Sequence, residues 1–378
     1  MQKIEFNDLS AQYQALKPEI DAGIAKVLAE SHYISGPQVE ELEQALCEYV
    51  GRKYCVAVSN GTDALQMPLM AWGIGPGDAV FVPAFTFVAT AEVVSLVGAT
   101  PVFCDVLEST FNLDPASLRA QIERVKAEGK LTPKAVIPVD LFGQVANYDE
   151  ILPLCREYGL YVMEDAAQGF GGTDNHGNKA CSFGEVSATS FFPAKPLGCY
   201  GDGGAIFTDD KELYDLLTSI RVHGKGTFKY DNVRVGLNAR LDTLQAAILL
   251  PKLRAFDKEN AVRIKAAEQY TSLLKDTFDV PFVPEGYSSS WAQYTLKAKS
   301  KEQREHIIDG LAKAGIPSMV YYPKPLHLQD VYKELGHKPG DFPISESLCE
   351  RVFSLPMHGY ITPEIVKTVA DTLHSLAE

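Results

Sequence analysis

The sequence predicts an α/β protein, with a largely parallel sheet covered by helices on both faces and a second, smaller unit after it. Three observations lead there. Between residues 54 and 165, short apolar runs alternate with stretches of helical apolar spacing. Small polar turns close several of the apolar runs, as at the ligand-facing edge of such sheets. Near residue 250 the alternation stops, and a long helical stretch leads into mixed elements. We therefore expect a large unit over residues 1–250 and a smaller one over residues 251–378.

Residues 18–30 and 38–50 each carry helical spacing; Val39, Leu42, Leu46 and Val50 form the stripe of the second. Gly36-Pro37 marks the turn between them. Residues 54–58 (YCVAV) read as a short buried strand. Ser59-Asn60-Gly61-Thr62-Asp63 follows, then a helix over 64–72. A strand, a small polar turn and a helix start leave backbone N–H groups pointing outward, which suits an anion; a plain N-cap by Ser59 or Thr62 is the other reading. The glycines from Gly73 to Gly77 make a turn, with the wrong spacing for a dinucleotide fingerprint.

Strands are then expected at 79–83, 101–104, 135–139 and 160–164, and helices at 87–97, 115–127 and 148–158. The apolar stretch 79–105 is broken by Pro83, Gly98 and Pro101, so it reads as strand, helix, strand and not as a membrane span. The polar residues at strand ends are Ser59 to Asp63, Asp105, Asp140 and Asp165. Leu241, Leu244, Ile248 and Leu249 start a further helix, and Pro251 kinks it or starts the next one. Residues 253–274 are helical, 281–290 form a link rich in Pro, Gly and Ser, 293–298 a strand and 302–314 a helix.

Composition excludes some classes. The 378 residues carry a net charge of −14, which argues against a general nucleic-acid or anionic-membrane binder. None of the seven cysteines forms a C-x-x-C pair, so no structural zinc site is signalled. Scattered cysteines in apolar surroundings suggest reduced thiols, and the N-terminal residues lack a signal-peptide core; both point to a cytoplasmic protein.

Residues 186–208, VSATSFFPAKPLGCYGDGGAIFT, hold Lys195 between Pro193 and Pro196, after an apolar strand and before Gly198, Gly201, Gly203 and Gly204. Proline fixes φ and glycine permits φ > 0, so this amine is presented at a set place on a tight loop. Partial desolvation would lower its pKa and make it a nucleophile, as Schiff-base chemistry requires. A solvated loop lysine is the plain alternative. Asp165 ends the apolar run YVME, and is read either as a turn residue or as a buried carboxylate for a ligand cation. Arg221, Lys225, Lys229, Arg234 and Arg240 face one acid, Asp231, and this stretch is where a diphosphate or carboxylate would be seated.

SNGTDAL at 59–65, PAFTFVATAE at 83–92, EDAAQ at 164–168, SFFPAKPLGCYGDGGAIFT at 190–208 and RVGLNARLDTLQAAILLPKL at 234–253 belong together in one known pattern. So do AQYT at 292–295, YYPKPLHLQ at 321–329 and SLPMHGY at 354–360. In this order they resemble the nucleotide-sugar aminotransferases of the DegT/DnrJ/EryC type, which use pyridoxal 5'-phosphate (PLP). The resemblance implies the aspartate aminotransferase fold type I, with a mostly parallel seven-stranded sheet in the large domain and a smaller C-terminal α+β domain. It further implies that Lys195 binds PLP covalently and later shuttles a proton, and that Asp165 keeps the pyridine nitrogen protonated. Phe87 would stack on the ring and Gln168 would bond its oxygen side. Gly61, Thr62, the Asp63 backbone N–H and Ser190 would hold the phosphate, with Asn238 arriving from a partner subunit in a homodimer. Arg240, Tyr321, Tyr322 and His327 would line the sugar site, Arg240 being the candidate for a sugar carboxylate. His223 would be positional.

The subgroup that the chain resembles aminates C3 of UDP-2-acetamido-2-deoxy-3-oxo-glucuronate with L-glutamate as donor, the cofactor passing through its pyridoxamine form (PMP), for surface polysaccharide such as O-antigen. A histidine stands there in place of Tyr321, which can donate a hydrogen bond but brings no positive charge. Other 3-keto or 4-keto nucleotide sugars are the alternative. A related dehydratase branch carries histidine in place of the lysine, so Lys195 argues against it. A non-catalytic PLP-binding regulator would have no need of Lys195, Asp165 and Arg240 together.

Overall fold

The computed structural model describes residues 3–228 and 230–377. Two helices open the chain, α1 (Leu9–Glu30) and α2 (Pro37–Val50). The expected start of α1 near residue 18 is corrected: Asp8 caps the helix by accepting the N–H of Ala11 at 2.8 Å, and Pro18 lies inside it. Proline's fixed φ suits a first turn, which is why Pro18 reads as a start; here it costs one ladder bond instead. Then come β1 (Tyr54–Val58), α3 (Gly61–Ala71), β2 (Asp78–Pro83), α4 (Ala89–Leu96), β3 (Thr100–Cys104), α5 (Pro115–Glu128), β4 (Thr132–Val136), α6 (Tyr148–Tyr158) and β5 (Tyr161–Asp165), the alternation that the apolar pattern demands. β4 lies three residues earlier than expected at its start. Beyond it the chain is held by the Ile137 N–H on Phe81 O at 2.9 Å and by a bridge from Val139 to Asp165, and Pro138 between them has no N–H to give.

The hairpin β6 (Val186–Ser190) and β7 (Gly204–Thr208) follows, then α7 (Lys211–Arg221) and α8 (Thr243–Leu274). The C-terminal part adds β8 (Tyr294–Lys297), α9 (Lys301–Lys313), α10 (Pro343–Arg351), β9 (Val352–Leu355) and α11 (Pro363–Ala377). Seven strands form one sheet in the order β1-β7-β6-β5-β4-β2-β3. β7 runs antiparallel to both neighbours and the other pairs are parallel, so the carboxyl ends of the remaining six strands share one edge.

Helices cover both faces. Leu42 and Leu46 of α2, Leu118 and Ile122 of α5 and Ile151 of α6 pack on Phe81 and Phe207. Leu65 and Leu69 of α3, Val93 of α4 and Leu217 of α7 pack on Val80, Val82 and Ile206. Burial on both sides explains why the strands read as continuous apolar runs. β8 and β9 pair antiparallel and share a third core with α9 and α11, built on Leu296, Phe353, Val366 and Val369.

α8 is one helix of 32 residues that continues through Pro251, so Pro251 does not start a new helix there. Its first half gives Ala246, Leu249 and Phe256 to the core of the large sheet, and its second half gives Ala267, Tyr270 and Leu274 to the C-terminal core. The expected division at residue 250 falls inside this helix. Among the described residues no helix is long and apolar enough to cross a membrane, and the seven cysteines are free thiols.

His358 is 4% exposed, and burial pushes its pKa down to about 4. Its Nδ1 accepts the N–H of Tyr360 at 3.3 Å, as a neutral ring does. An unfolded chain takes up that proton near pH ~6.5, whereas the folded one refuses it until about pH 4. Stability is therefore expected to fall as pH drops through this window, by about 2–3 kcal/mol from this ring. His358→Gln should flatten the fall, as read by urea unfolding of the cofactor-free protein at about pH 7 and about pH 4.5.

Candidate active site

The shared edge of the sheet brings together the turn after β1, the segment after β2, the end of β5 and the loop that links β6 to β7. Asp165, the last residue of β5, is buried. Thr90 Oγ1 donates to its Oδ2 at 2.8 Å and the Ala167 N–H to its Oδ1 at 3.2 Å. Burial raises the Asp165 pKa, while these two donors and the charge of Lys195 pull it back. Lys195 has the opposite problem: burial lowers its pKa and Asp165 raises it. Among the described residues the Lys195 amine has no hydrogen-bond partner, so it is available as a nucleophile. The loop is tied at its base, where Lys195 N–H donates to Phe192 O and Cys199 N–H to Phe191 O, both at 2.8 Å. Gly198 is required there, since a Cβ would stand 2.5 Å from the Pro193 carbonyl oxygen.

At the start of α3 the cap is Asn60, and neither Ser59 nor Thr62. Its Oδ1 accepts the Asp63 N–H at 2.8 Å. The expectation that this N–H faces an anion is therefore corrected: the cap already uses it. The Asp63 carboxylate accepts from Ser59 Oγ and from Asn60 Nδ2. The N–H groups of Gly61 and Thr62 have no partner among the described residues and point out of the helix start. A Cβ on Gly61 would lie 2.7 Å from Ser190 Cβ, so glycine lets α3 approach the end of β6 and sets the Ser190 hydroxyl beside the free N–H pair. This cradle suits a phosphate.

Gln168 is buried; its Oε1 accepts the Phe142 N–H at 2.7 Å and its Nε2 donates to Tyr322 Oη at 3.0 Å. Phe87 is 54% exposed, with its ring 6.2 Å from that of Tyr322. Tyr321 is half-buried between Tyr322 and Phe6, at ring distances of 5.9 and 6.3 Å. Burial pushes the Tyr322 phenol up, so it stays a donor at neutral pH. The set has a carboxylate for a ring cation, an amine for an aldehyde, an open aromatic face and an anion cradle. The residues fit PLP.

His327 does not belong to this group. It is 1% exposed, packs on Phe342 with ring centroids 4.7 Å apart, and shares a hydrogen bond of 3.1 Å with Glu346. The Leu326 N–H is held by Ala84 O, and this anchors the turn inward. His327 is thus a core residue here and does not line the sugar site. The basic stretch also divides. Arg221 is engaged by Glu43 at 2.6 Å, while exposed Arg234 bonds Ser219. Lys229 lies outside the described residues. Arg240 bonds Asn238 Oδ1 and leaves its buried Nε without a partner. Arg240 and Asn238 line a cleft of about 470 Å³ with Ser59, Asn60, Asp202 and Gln245, on the flank of α3. No hydrogen bond or ion pair among the described residues joins them to Lys195 or Asp165. His223 stands at φ +56 and donates its N–H to Leu237 O at 2.8 Å, a backbone role.

Sequence reading overlooked Thr90, although it sits four residues after Thr86 at the start of a helix. The two hydroxyls are 3.3 Å apart, and that i, i+4 pair was the available signal.

Comparison with known proteins puts this arrangement in context. Residues 14–374 match the DegT/DnrJ/EryC1/StrS aminotransferase family. The chain is 47% identical, over 98% of its length and 99% of the relative's, to a UDP-2-acetamido-2-deoxy-3-oxo-D-glucuronate aminotransferase of Pseudomonas aeruginosa. It superposes with a TM-score of 0.95 on the crystal structure of a DegT DnrJ EryC1 StrS aminotransferase from Brucella abortus, at 50% identity over 98% of this chain and 99% of that one. A sugar aminotransferase of Streptococcus pneumoniae, described as putative and solved in a PMP form, superposes with a TM-score of 0.88 at 27% identity, over 95% of this chain and 96% of that one.

Thr90→Val keeps the shape and removes the hydroxyl that favours ionised Asp165. It is expected to raise the Asp165 pKa further. Carboxyl carbon NMR titration of the cofactor-free protein reads this directly, and an unchanged titration would mean the hydroxyl has no electrostatic effect.

Proposed function

This chain belongs to the DegT/DnrJ/EryC1/StrS aminotransferase family, and on that premise we propose that it moves an amino group from L-glutamate to the C3 keto group of UDP-2-acetamido-2-deoxy-3-oxo-glucuronate. The enzymes of this family are PLP-dependent aminotransferases. The observation that carries the residue roles is the charge coupling of buried Asp165 with half-buried Lys195, together with the cradle of Gly61, Thr62 and Ser190. When bound, PLP supplies an aldehyde that exchanges amino groups and a ring that withdraws electrons from the reacting carbon.

The chain supplies the rest. Lys195 Nζ holds the cofactor covalently and, once freed, takes up and returns the proton of the substrate carbon. Asp165 keeps a proton on the ring nitrogen, acting through charge. Phe87 covers the ring face, and Gln168, held by Phe142 and Tyr322, orients its oxygen side. The free N–H groups of Gly61 and Thr62 and the Ser190 hydroxyl take the phosphate. Tyr321 and Tyr322 offer phenols to the sugar.

Asn238 and Arg240 serve the site of a second copy in a homodimer. Phe228, Val233 and Val235, exposed on the segment between α7 and α8, support a partner surface there. Arg240 then recognises the C6 carboxylate, as a planar guanidinium suits one. The product serves surface polysaccharide such as O-antigen, and the work is cytoplasmic, in keeping with the free thiols. The uncharged Tyr321 favours, as a second reading, a 3-keto or 4-keto sugar that lacks the carboxylate.

Purified protein should show the absorbance of lysine-held cofactor, and glutamate should bleach it. Lys195→Ala should lose at least about a thousandfold in turnover; a variant that still turned over would overturn the role of the lysine. A panel of UDP-linked keto sugars, with and without a C6 carboxylate, separates the two readings. Under the first, Arg240→Gln raises KM about 10–100-fold for the carboxylate sugar alone. An equal effect on both sugars would assign Arg240 to folding or assembly instead.

A further inference from the structure

Beneath the Lys195 loop, α8 carries two buried cations that the roles above leave unused. Lys252 is 1% exposed; its Nζ donates to Gly198 O at 2.7 Å and lies 4.1 Å from the ring centroid of Tyr200. Arg263, about three helical turns further on, is also buried and donates to Pro196 O at 3.2 Å. From the N-terminal side, Asn7 Nδ2 donates to Ala194 O at 3.2 Å. The carbonyls on either side of Lys195 thus accept hydrogen bonds from outside the loop.

We propose that Lys252, together with Arg263, is a positioning residue that holds the Lys195 loop, and so the Lys195 amine, in register with Asp165. The loop needs such help. Pro193 and Pro196 have no N–H, so the segment cannot fasten itself by its own backbone at those places. Among the described residues its internal ties lie at the base, from the N–H groups of Lys195 and Cys199 and from the Cys199 thiol to Phe191 O and Gly201 O. The carbonyls beyond them point down onto α8, where donors on a rigid helix fix them. Simple packing does not account for a lysine here. A methionine would fill the same slot without the desolvation of an ammonium, and burial pulls the Lys252 pKa down to about 8. Among the described residues Lys252 forms no ion pair. What it holds is the one carbonyl, by a charge-assisted bond stronger than a neutral one. Arg263 is in turn held 3.9 Å from Glu259, whose oxygens accept from Gln12 of α1 and Tyr360 of the C-terminal loop. The loop therefore rests on a support assembled from the N-terminal, central and C-terminal parts of the chain.

The proposal rests on Lys195 being the reacting amine, but its test does not. Hydrogen exchange of the cofactor-free protein is measured at the amides of Lys195 and Cys199. In Lys252→Met both should exchange at least about tenfold faster, while segments in β1 and α5 keep wild-type rates. Lys252→Gln, a neutral donor, should restore part of the protection. With cofactor and substrates, kcat of Lys252→Met should fall more than KM for glutamate rises. Unchanged exchange at the two amides overturns the proposal, and so does exchange that rises equally throughout the chain, because that is general packing. Should Lys252→Met fail to fold, Lys252→Gln decides on the same two amides. If Lys195→Ala still turned over, the reading of the amine would fall and the exchange result would stand.

Discussion

A buried carboxylate, Asp165, and a half-buried amine, Lys195, feel each other's charge at the same edge of the sheet, and much of the structure serves to hold them there. Burial alone would neutralise both: it raises Asp165 and lowers Lys195. Each group's charge opposes the drift of the other. The Thr90 hydroxyl and the Ala167 N–H tip the balance further towards an ionised Asp165. In the proposed roles, an aspartate that holds a ring proton needs its charge, while a lysine that attacks an aldehyde needs to be able to lose its own. The low-dielectric pocket makes both possible at once, because electrostatic terms weigh more there than in water.

Close backbone approach makes that pocket small enough. Glycine at 61 brings α3 against the end of β6, and a Cβ at Gly169 would stand 2.5 Å from Asp140 Cβ beside the end of β5. The antiparallel insertion of β7 between β1 and β6 has a related effect. It turns the chain back at the edge where the parallel strands end, so the hairpin loop lies where their polar residues gather. The chemistry lives in loops, but its geometry is set by strands.

Much of this was legible in the sequence. The alternation between residues 54 and 165 was clear, because strands buried on both faces have unbroken apolar runs. Lys195 stood out because of the prolines and glycines around it, and Asp165 because it ends such a run. What sequence reading missed has physical causes. Pro18 and Pro251 look like punctuation and are interior, since packing along the helix outweighs one lost bond. The Asp63 N–H looked free because the cap was sought at Ser59 or Thr62 and not at Asn60. The basic residues from 221 to 240 are neighbours in sequence only: Arg221 turns to Glu43, and Arg240 to a cleft. His327 lies in a family-like stretch, yet its ring is in the core. The loop carbonyls that Lys252 and Arg263 hold are more than fifty positions away, which no local pattern reveals.

The unbroken passage of α8 through Pro251 bears on how such a chain can be cut and recombined. One rod supplies hydrophobic side chains to two cores and hydrogen-bond donors to the reactive loop. A fragment ending at residue 250 would lose Lys252, Phe256 and Arg263 together, and with them the support beneath the Lys195 loop. The halves are therefore not exchangeable modules. Grafting a new C-terminal part to alter substrate choice disturbs the chemistry too, whereas changing side chains at the rim leaves the rod intact.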